Sequence, residues 1–325
     1  MSEFRYNKLT KQWVLFAPNR AKRPFELQKN KEILLQGKES CPFEPGNEKM
    51  TPNEVARFED ENGNWTSRVV PNLYNALSIE DDINSQRQNG FEKRSGFGAH
   101  EIIIETREHH LQMFDYKTSN FIEYFNIIKK RVNDLKKDKR LKYFSIFKNN
   151  GLDSGASLEH SHSQLIAMPF LPTSIESELK EYKEFKEQHG RSFFEDLIYD
   201  EKSFEKAIVI ENSSFIAYCP YASSFSFEVI IMAKEDISNI LECEDRHTYA
   251  LSEIMEFIFS KYKKALGEIP FNMLIKNGDL QNKNNTNRFH IQICPRIYKM
   301  AGFELDSKIQ INTILPELAA QILKE

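Results

Sequence analysis

No apolar run in the 325-residue chain approaches the roughly 18 residues that a membrane-spanning helix needs. The opening MSEFRYNKLTKQW lacks the apolar core of a signal peptide, so neither insertion nor export is expected. Cysteine is scarce: Cys41, Cys219, Cys243 and Cys294 are scattered without a disulfide-like rhythm, which fits a reducing compartment and predicts a cytoplasmic protein. Positive charge is not in excess. Lys and Arg number 44 against 48 Asp and Glu, a formal net charge of −4, so no broad basic field exists to hold a nucleic-acid backbone. A phosphate ligand must therefore be met by a few placed cations. What remains is an ordinary folded composition, 40% hydrophobic and 28% charged, in a length that suits two domains of similar size.

Two similar runs follow one another along the chain. In the first, TKQWVLFAP (10–18) and HEIIIET (100–106) read as strands, and residues 121–137 read as an amphipathic helix carrying Phe121, Ile122, Phe125, Ile128, Val132 and Leu135. YFSIFKN and SQLIAMP then read as strands on either side of a Gly- and Ser-containing loop. The second run gives two strands around a turn in FIAYCPYASSFSFEVIIMAK (215–234), one long helix over 238–266, and strands in FNMLIKNG and RFHIQICPR. Letters repeat along with the order. FKNNG (147–151) precedes HSQLIAMP (162–169) much as IKNG (275–278) precedes HIQICPR (290–296). A duplicated α+β domain is expected, with its seam in the polar helical segment after Pro172, giving domains 1-172 and 173-325.

The most informative segment is GASLEHSHSQLIAMP (155–169). Side chains alternate along a strand, so His160, His162 and Gln164 face one way while Ser161, Ser163 and Leu165 face the other. Two imidazoles and an amide in a row are costly to bury and seldom needed for packing. Such a row suits attack on phosphorus. A neutral imidazole is nucleophilic near pH 7, with one ring nitrogen attacking while the other is held by a hydrogen bond. Gln164 can donate an N–H to a phosphoryl oxygen as charge builds, but it cannot shuttle a proton to water.

Within G-A-S-x-x-H-x-H-x-Q, the HSHSQ run resembles the active-site signature of the galactose-1-phosphate uridylyltransferase family, a branch of the histidine-triad superfamily. WVLFAPNRAKRP (13–24), CPFEPGNE (41–48), VVPNLYNAL (69–77), AGFE (301–304) and LPELAA (315–320) resemble further family segments in family order. The resemblance implies an α+β fold of two duplicated histidine-triad-like domains, each an antiparallel sheet with flanking helices, paired as a homodimer. It implies that His162 is the nucleophile, passing a nucleotidyl group between sugar phosphates in a ping-pong reaction, with Gln164 contacting the phosphoryl oxygens. It also implies a phosphate-contacting loop at Asn149, Gly155 and Ser157, diphosphate contacts from Arg20 and Arg23, a nucleoside contact from Asn72, and sugar contacts from Glu304 and Gln310. In the second half Arg288 stands where His160 repeats, so that half has lost its row.

The family zinc site joins two knuckle cysteines to two histidines. Cys41, His109 and His160 match three positions here, and Glu44 replaces the second cysteine. Glu44 remains a competent ligand, harder than thiolate, so one zinc per chain is expected with lowered affinity. His110 beside His109 leaves the imidazole ligand open. A second family metal site would fall on Glu178, Lys276, His290 and Gln292. An ammonium offers no lone pair, so its loss is expected, with a Glu178–Lys276 ion pair in its place. The leading expectation is UDP-glucose–hexose-1-phosphate uridylyltransferase activity. The altered knuckle and HSHSQ in place of H-P-H-G-Q also admit an ADP-sugar phosphorylase. A nucleotide-sugar sensor without turnover is the reading from another class, and intact His162 and Gln164 weigh against it.

Overall fold

Short apolar runs with every second residue buried, as in YFSIFKNN (143–150), give this chain its strands. A computed structural model describes residues 1–22, 37–281 and 286–325. Its first half runs β1 (Glu3–Asn7), β2 (Gln12–Phe16), β3 (Ala56–Glu59), β4 (Trp65–Pro71), β5 (Ser85–Gln88), β6 (Phe91–Arg94), β7 (Ala99–Ile104), α1 (Thr118–Leu135), β8 (Tyr143–Asn150) and β9 (His162–Met168). The second begins with α2 (Thr173–His189), α3 (Phe193–Ser203), β10 (Ile208–Glu211), β11 (Phe215–Tyr218), β12 (Val229–Ala233) and α4 (Asp245–Leu266). It ends with β13 (Phe271–Lys276), β14 (His290–Pro295), α5 (Gly302–Ser307), β15 (Gln310–Asn312) and α6 (Pro316–Lys324).

One antiparallel sheet of ten strands, ordered β10-β11-β12-β14-β13-β8-β9-β7-β4-β3, contains both copies of the repeat. Counted outward from the centre, β8-β9-β7-β4-β3 on one side matches β13-β14-β12-β11-β10 on the other. Helix α1 joins β7 to β8, and α4 joins β12 to β13 in the same way. The two expected sheets are thus five-stranded halves fused edge to edge through β8 and β13. Helix α4 starts later than its apolar pattern suggested. Asn239 Oδ1 caps a separate 3₁₀ turn over Ile240–Glu242 by accepting the Leu241 N–H, and a Glu244–His247 capping box then opens the helix proper.

Helices α1, α4 and α6 cover one face and bury the main core against Ile103, Phe144, Ile146, Leu165, Ile231 and Ile291. The opposite face is split. In the second half α2 and α3 cover it with Tyr182, Phe194 and Leu197 against Ile216, Ile230 and Met232. In the first half it receives the loop around Cys41 and Phe43, packed on Val70, Ile102 and Ile104. The amino-terminal strands join the far end of the chain: β2 pairs with β15 in parallel, Arg5 meets Glu317 at 2.9 Å, and Asn7 donates to the Ala222 carbonyl.

Candidate active site

Strand β9 begins at His162, so it presents His162 and Gln164 of the row that the sequence predicts, while His160 precedes the strand. His162 pairs with Ile104 and Gln164 with Ile102, which puts both side chains on the face of the Cys41 loop. Phe43 packs its ring edge-on against His162, with centroids 5.3 Å apart. The His162 Nδ1–H donates to the His160 carbonyl at 2.8 Å, and a carbonyl can only accept. The proton is thereby fixed on Nδ1, and the lone pair sits on Nε2. Burial, and then the nearby Lys148 ammonium, push the His162 pKa down to about 4, so the ring is neutral at pH 7.

Behind the strand lies a buried polar cluster. Lys148 Nζ donates to both Glu105 oxygens at 3.1 and 3.0 Å, to Ser161 Oγ at 2.9 Å and to the His162 carbonyl at 3.1 Å. Ser161 and Ser163 donate to Glu105 at 2.8 and 2.5 Å, and the hydroxyls of Tyr116 and Tyr124 close the cluster. The paired Lys148 and Glu105 are each at least 94% buried. Nothing in the sequence pointed to them, because partners 43 residues apart carry no local pattern.

On the front face Gln164 Oε1 lies 2.9 Å from His100 Nε2, a residue the sequence reading did not select. Asn72 is beside the same ring, 3.1 Å from Nε2, and its Oδ1 accepts the Tyr74 N–H. The loop between β8 and β9 turns through Gly151 and Gly155, both at positive φ, and a Cβ on Gly151 would meet Pro270 at 3.1 Å. Asn149 Oδ1 accepts from Asn272 on β13, which also donates to the Ser154 carbonyl. The second half therefore braces this loop, where Gly155 and Ser157 are exposed. Arg20 is exposed on a 3₁₀ turn after β2, and Arg23 lies outside the described residues. Glu304 and Gln310 line one small hollow with Phe225 and Tyr298, and Glu304 also caps α5.

Cys41, Glu44, His109 and His160 converge, each offering a ligand atom within 4.8 Å of the others. His109 Nδ1 lies 2.8 Å from Glu44 Oε2, and Cys41 Sγ lies 3.7 Å from His160 Nδ1. His160 Nε2–H donates to the Thr106 carbonyl at 2.8 Å, which turns the Nδ1 lone pair toward the cluster. His110 sits outside it, 65% exposed and 3.2 Å from Glu159, so His109 is the imidazole that joins Cys41. One thiol, one carboxylate and two imidazoles in this spacing fit a tetrahedral zinc ion.

Residues 1–172 match the galactose-1-phosphate uridyl transferase N-terminal domain, and residues 178–325 match the C-terminal domain of the same enzyme. The chain belongs to the galactose-1-phosphate uridylyltransferase family. It is 31% identical to the ADP-glucose phosphorylase of Arabidopsis thaliana over 99% of this chain and 92% of that protein. It is 27% identical to the galactose-1-phosphate uridylyltransferase of Saccharomyces cerevisiae over 99% and 94%. Among solved structures, the Arabidopsis ADP-glucose phosphorylase with bound ADP-glucose matches with a TM-score of 0.84 at 29% identity, covering 100% of this chain and 99% of that one. A uridylyltransferase structure at 22% identity shares the fold, with a TM-score of 0.75 over 100% and 98%. The protein is thus a nucleotidyltransferase of this family.

The second half of this uridylyltransferase-family fold shows what the first has kept. His290 repeats His162 down to its hydrogen bond, Nδ1 to the Arg288 carbonyl at 2.8 Å. Its face is closed by α3, whose Phe194 ring lies 6.4 Å from His290. Arg288, in the place of His160, is buried and donates to the carbonyls of Lys234 and Glu235. By strand register, Ala233, Ile275, Phe289 and Ile291 stand where Glu105, Lys148, Ser161 and Ser163 stand in the first half, so the polar cluster becomes apolar core. The expected Glu178–Lys276 pair does not close to a salt bridge. Burial, the larger influence, raises the Glu178 pKa and disfavours the carboxylate that such a pair needs, and the Lys276 charge opposes that rise without a direct contact.

Proposed function

We propose that this protein moves a nucleoside monophosphate from a nucleoside diphosphate hexose to a phosphate acceptor through His162. The observation that carries the reading is the His162 ring: neutral, held at Nδ1 by the His160 carbonyl, with its Nε2 lone pair free. Nε2 attacks the α-phosphorus, and the bond to the sugar phosphate breaks with its electron pair leaving on the sugar 1-phosphate. The acceptor oxygen then attacks the same phosphorus and returns the pair to Nε2. Gln164 donates to a phosphoryl oxygen as charge builds, and the Asn149–Ser157 loop adds backbone N–H groups. Arg20 and Arg23 meet the diphosphate, Asn72 the nucleoside, and Glu304 with Gln310 the sugar. Residues 1–172 carry the nucleophile, 173–325 brace it, and two copies pair as a homodimer. Four free, buried cysteines support a reducing, cytoplasmic setting.

UDP-glucose with a hexose 1-phosphate acceptor is one donor pair. The higher identity and TM-score of the ADP-glucose phosphorylase favour the other, ADP-glucose with inorganic phosphate. The two separate by assay. Incubated with UDP-glucose and galactose 1-phosphate, a uridylyltransferase releases glucose 1-phosphate and forms UDP-galactose; with ADP-glucose and phosphate, a phosphorylase releases glucose 1-phosphate and ADP. Binding of both donors with release from neither would leave only the sensor reading.

Cys41, Glu44, His109 and His160 would hold one zinc ion, whose charge fixes the loop and His160 as a structural clamp. Elemental analysis is expected to give up to one zinc per chain. Glu44→Cys should tighten binding by restoring a second thiolate, and Glu44→Ala should weaken it. A stoichiometry near two, or zinc retained in Cys41→Ala/His160→Ala, would refute the ligand set.

A further inference from the structure

The side-chain amide of Gln164 has two ends, and only its NH2 end can donate to a phosphoryl oxygen. What decides which end faces the reaction is the residue beside it on β7, His100. The Ala76 N–H donates to His100 Nδ1 at 3.0 Å. An accepting Nδ1 carries no proton, so the ring's proton is on Nε2, and Nε2–H donates to Gln164 Oε1 at 2.9 Å. Asn72 Nδ2 approaches the same Nε2 at 3.1 Å, but a protonated Nε2 cannot accept from it, and Asn72 is held instead through its Oδ1. With its oxygen occupied by a donor, Gln164 is left presenting its NH2.

The duplicated half supplies the contrast. Gln164 pairs with Ile102, and Gln292 pairs with Ile230, so Glu228 stands two residues before Ile230 as His100 stands before Ile102. Glu228 is an acceptor. It takes the backbone N–H groups of Ser224 and Phe225 on one oxygen and the Gln292 NH2 on the other, at 2.7 Å. The same amide at the repeated position is therefore tied by its opposite end. A donor stands beside the glutamine in the half with the nucleophile, and an acceptor in the half whose row is lost.

We propose that His100 is a positioning residue that orients the Gln164 amide, holding its oxygen so that its NH2 meets the phosphoryl group. The inference deepens the role given above to His162 and Gln164 and rests on it. His100→Gln keeps a side-chain donor of similar reach, whereas His100→Glu, of the same size, puts an acceptor there and should turn the amide over.

The test is single-turnover release of glucose 1-phosphate from ADP-glucose and from UDP-glucose, in the wild type, His100→Gln, His100→Glu, Gln164→Ala and His100→Glu/Gln164→Ala. Retention of most of the rate is expected in His100→Gln. In His100→Glu it should fall by about 10²-fold, as expected for loss of one preorganised donor, with donor affinity changing far less. Gln164→Ala should fall similarly, and His100→Glu should add nothing to it. Equal rates in His100→Gln and His100→Glu, or losses that multiply in the double variant, would overturn the assignment of His100 while leaving that of Gln164 intact. Unchanged release in Gln164→Ala would overturn both.

Discussion

His162→Asn is expected to abolish nucleotidyl labelling and turnover together while donor binding survives. Asparagine keeps a polar side chain of comparable reach, but its amide nitrogen lone pair is delocalised into the carbonyl and cannot attack phosphorus. In the wild type, donor without acceptor should leave a nucleotidyl group on the protein and release sugar 1-phosphate, with a linkage labile in acid and stable in base, as a phosphoramidate is. Kinetics should be ping-pong, since the first product leaves before the acceptor enters the same pocket. Mass spectrometry of the labelled protein locates the group. Finding it on His160, whose two ring nitrogens are turned to the Thr106 carbonyl and the Cys41 cluster, would overturn the assignment.

Lys148→Met should produce the largest loss of stability of any single change discussed. It removes the ammonium that four acceptors share and leaves the Glu105 carboxylate buried without a counter-charge. Breaking a buried pair from one side costs about 3–5 kcal/mol. Adding Glu105→Gln removes the stranded charge and should recover most of that loss, since neutral replacements of buried pairs are often nearly as stable. The double variant still lacks the tie from Lys148 to the His162 carbonyl, so its turnover should stay low. Urea unfolding and single-turnover rates measure the two effects separately. Wild-type stability in Lys148→Met, or full turnover in the double variant, would contradict this account.

Much of this arrangement was legible in the residues themselves. The alternation in HSHSQ placed His162 and Gln164 on one face, as strand geometry requires, whereas His160 falls before β9 begins and alternation does not place it. The FKNNG and IKNG repeats announced a duplication, and Cys41, Glu44, His109 and His160 converge as the family pattern implied. Edge-to-edge fusion of the two sheets was not legible, since pairing between β8 and β13 leaves no trace in either strand's own pattern. His100 and Lys148 were missed for a related reason. Each looks like an ordinary strand residue until the fold brings Gln164 or Glu105 beside it. The start of α4 was misplaced because apolar spacing continues through the Asn239 turn, and only the caps mark the boundary.

The β8–β13 junction has a consequence for synthesis. As the chain emerges, β8 is complete with its far edge bare, and its neighbour there is not made until residues 271–276. The first strands wait longer still, because β2 pairs with β15 near the other end. Neither copy of the repeat therefore covers the outer edge of its β8 or β13 strand by itself, although each has its own helix and strands. An open strand edge templates pairing with whatever strand arrives, including one from another nascent chain. The duplicated halves of this transferase have become mutual chaperones: each supplies the strand that seals the other's edge, and a chain cut between them would expose both.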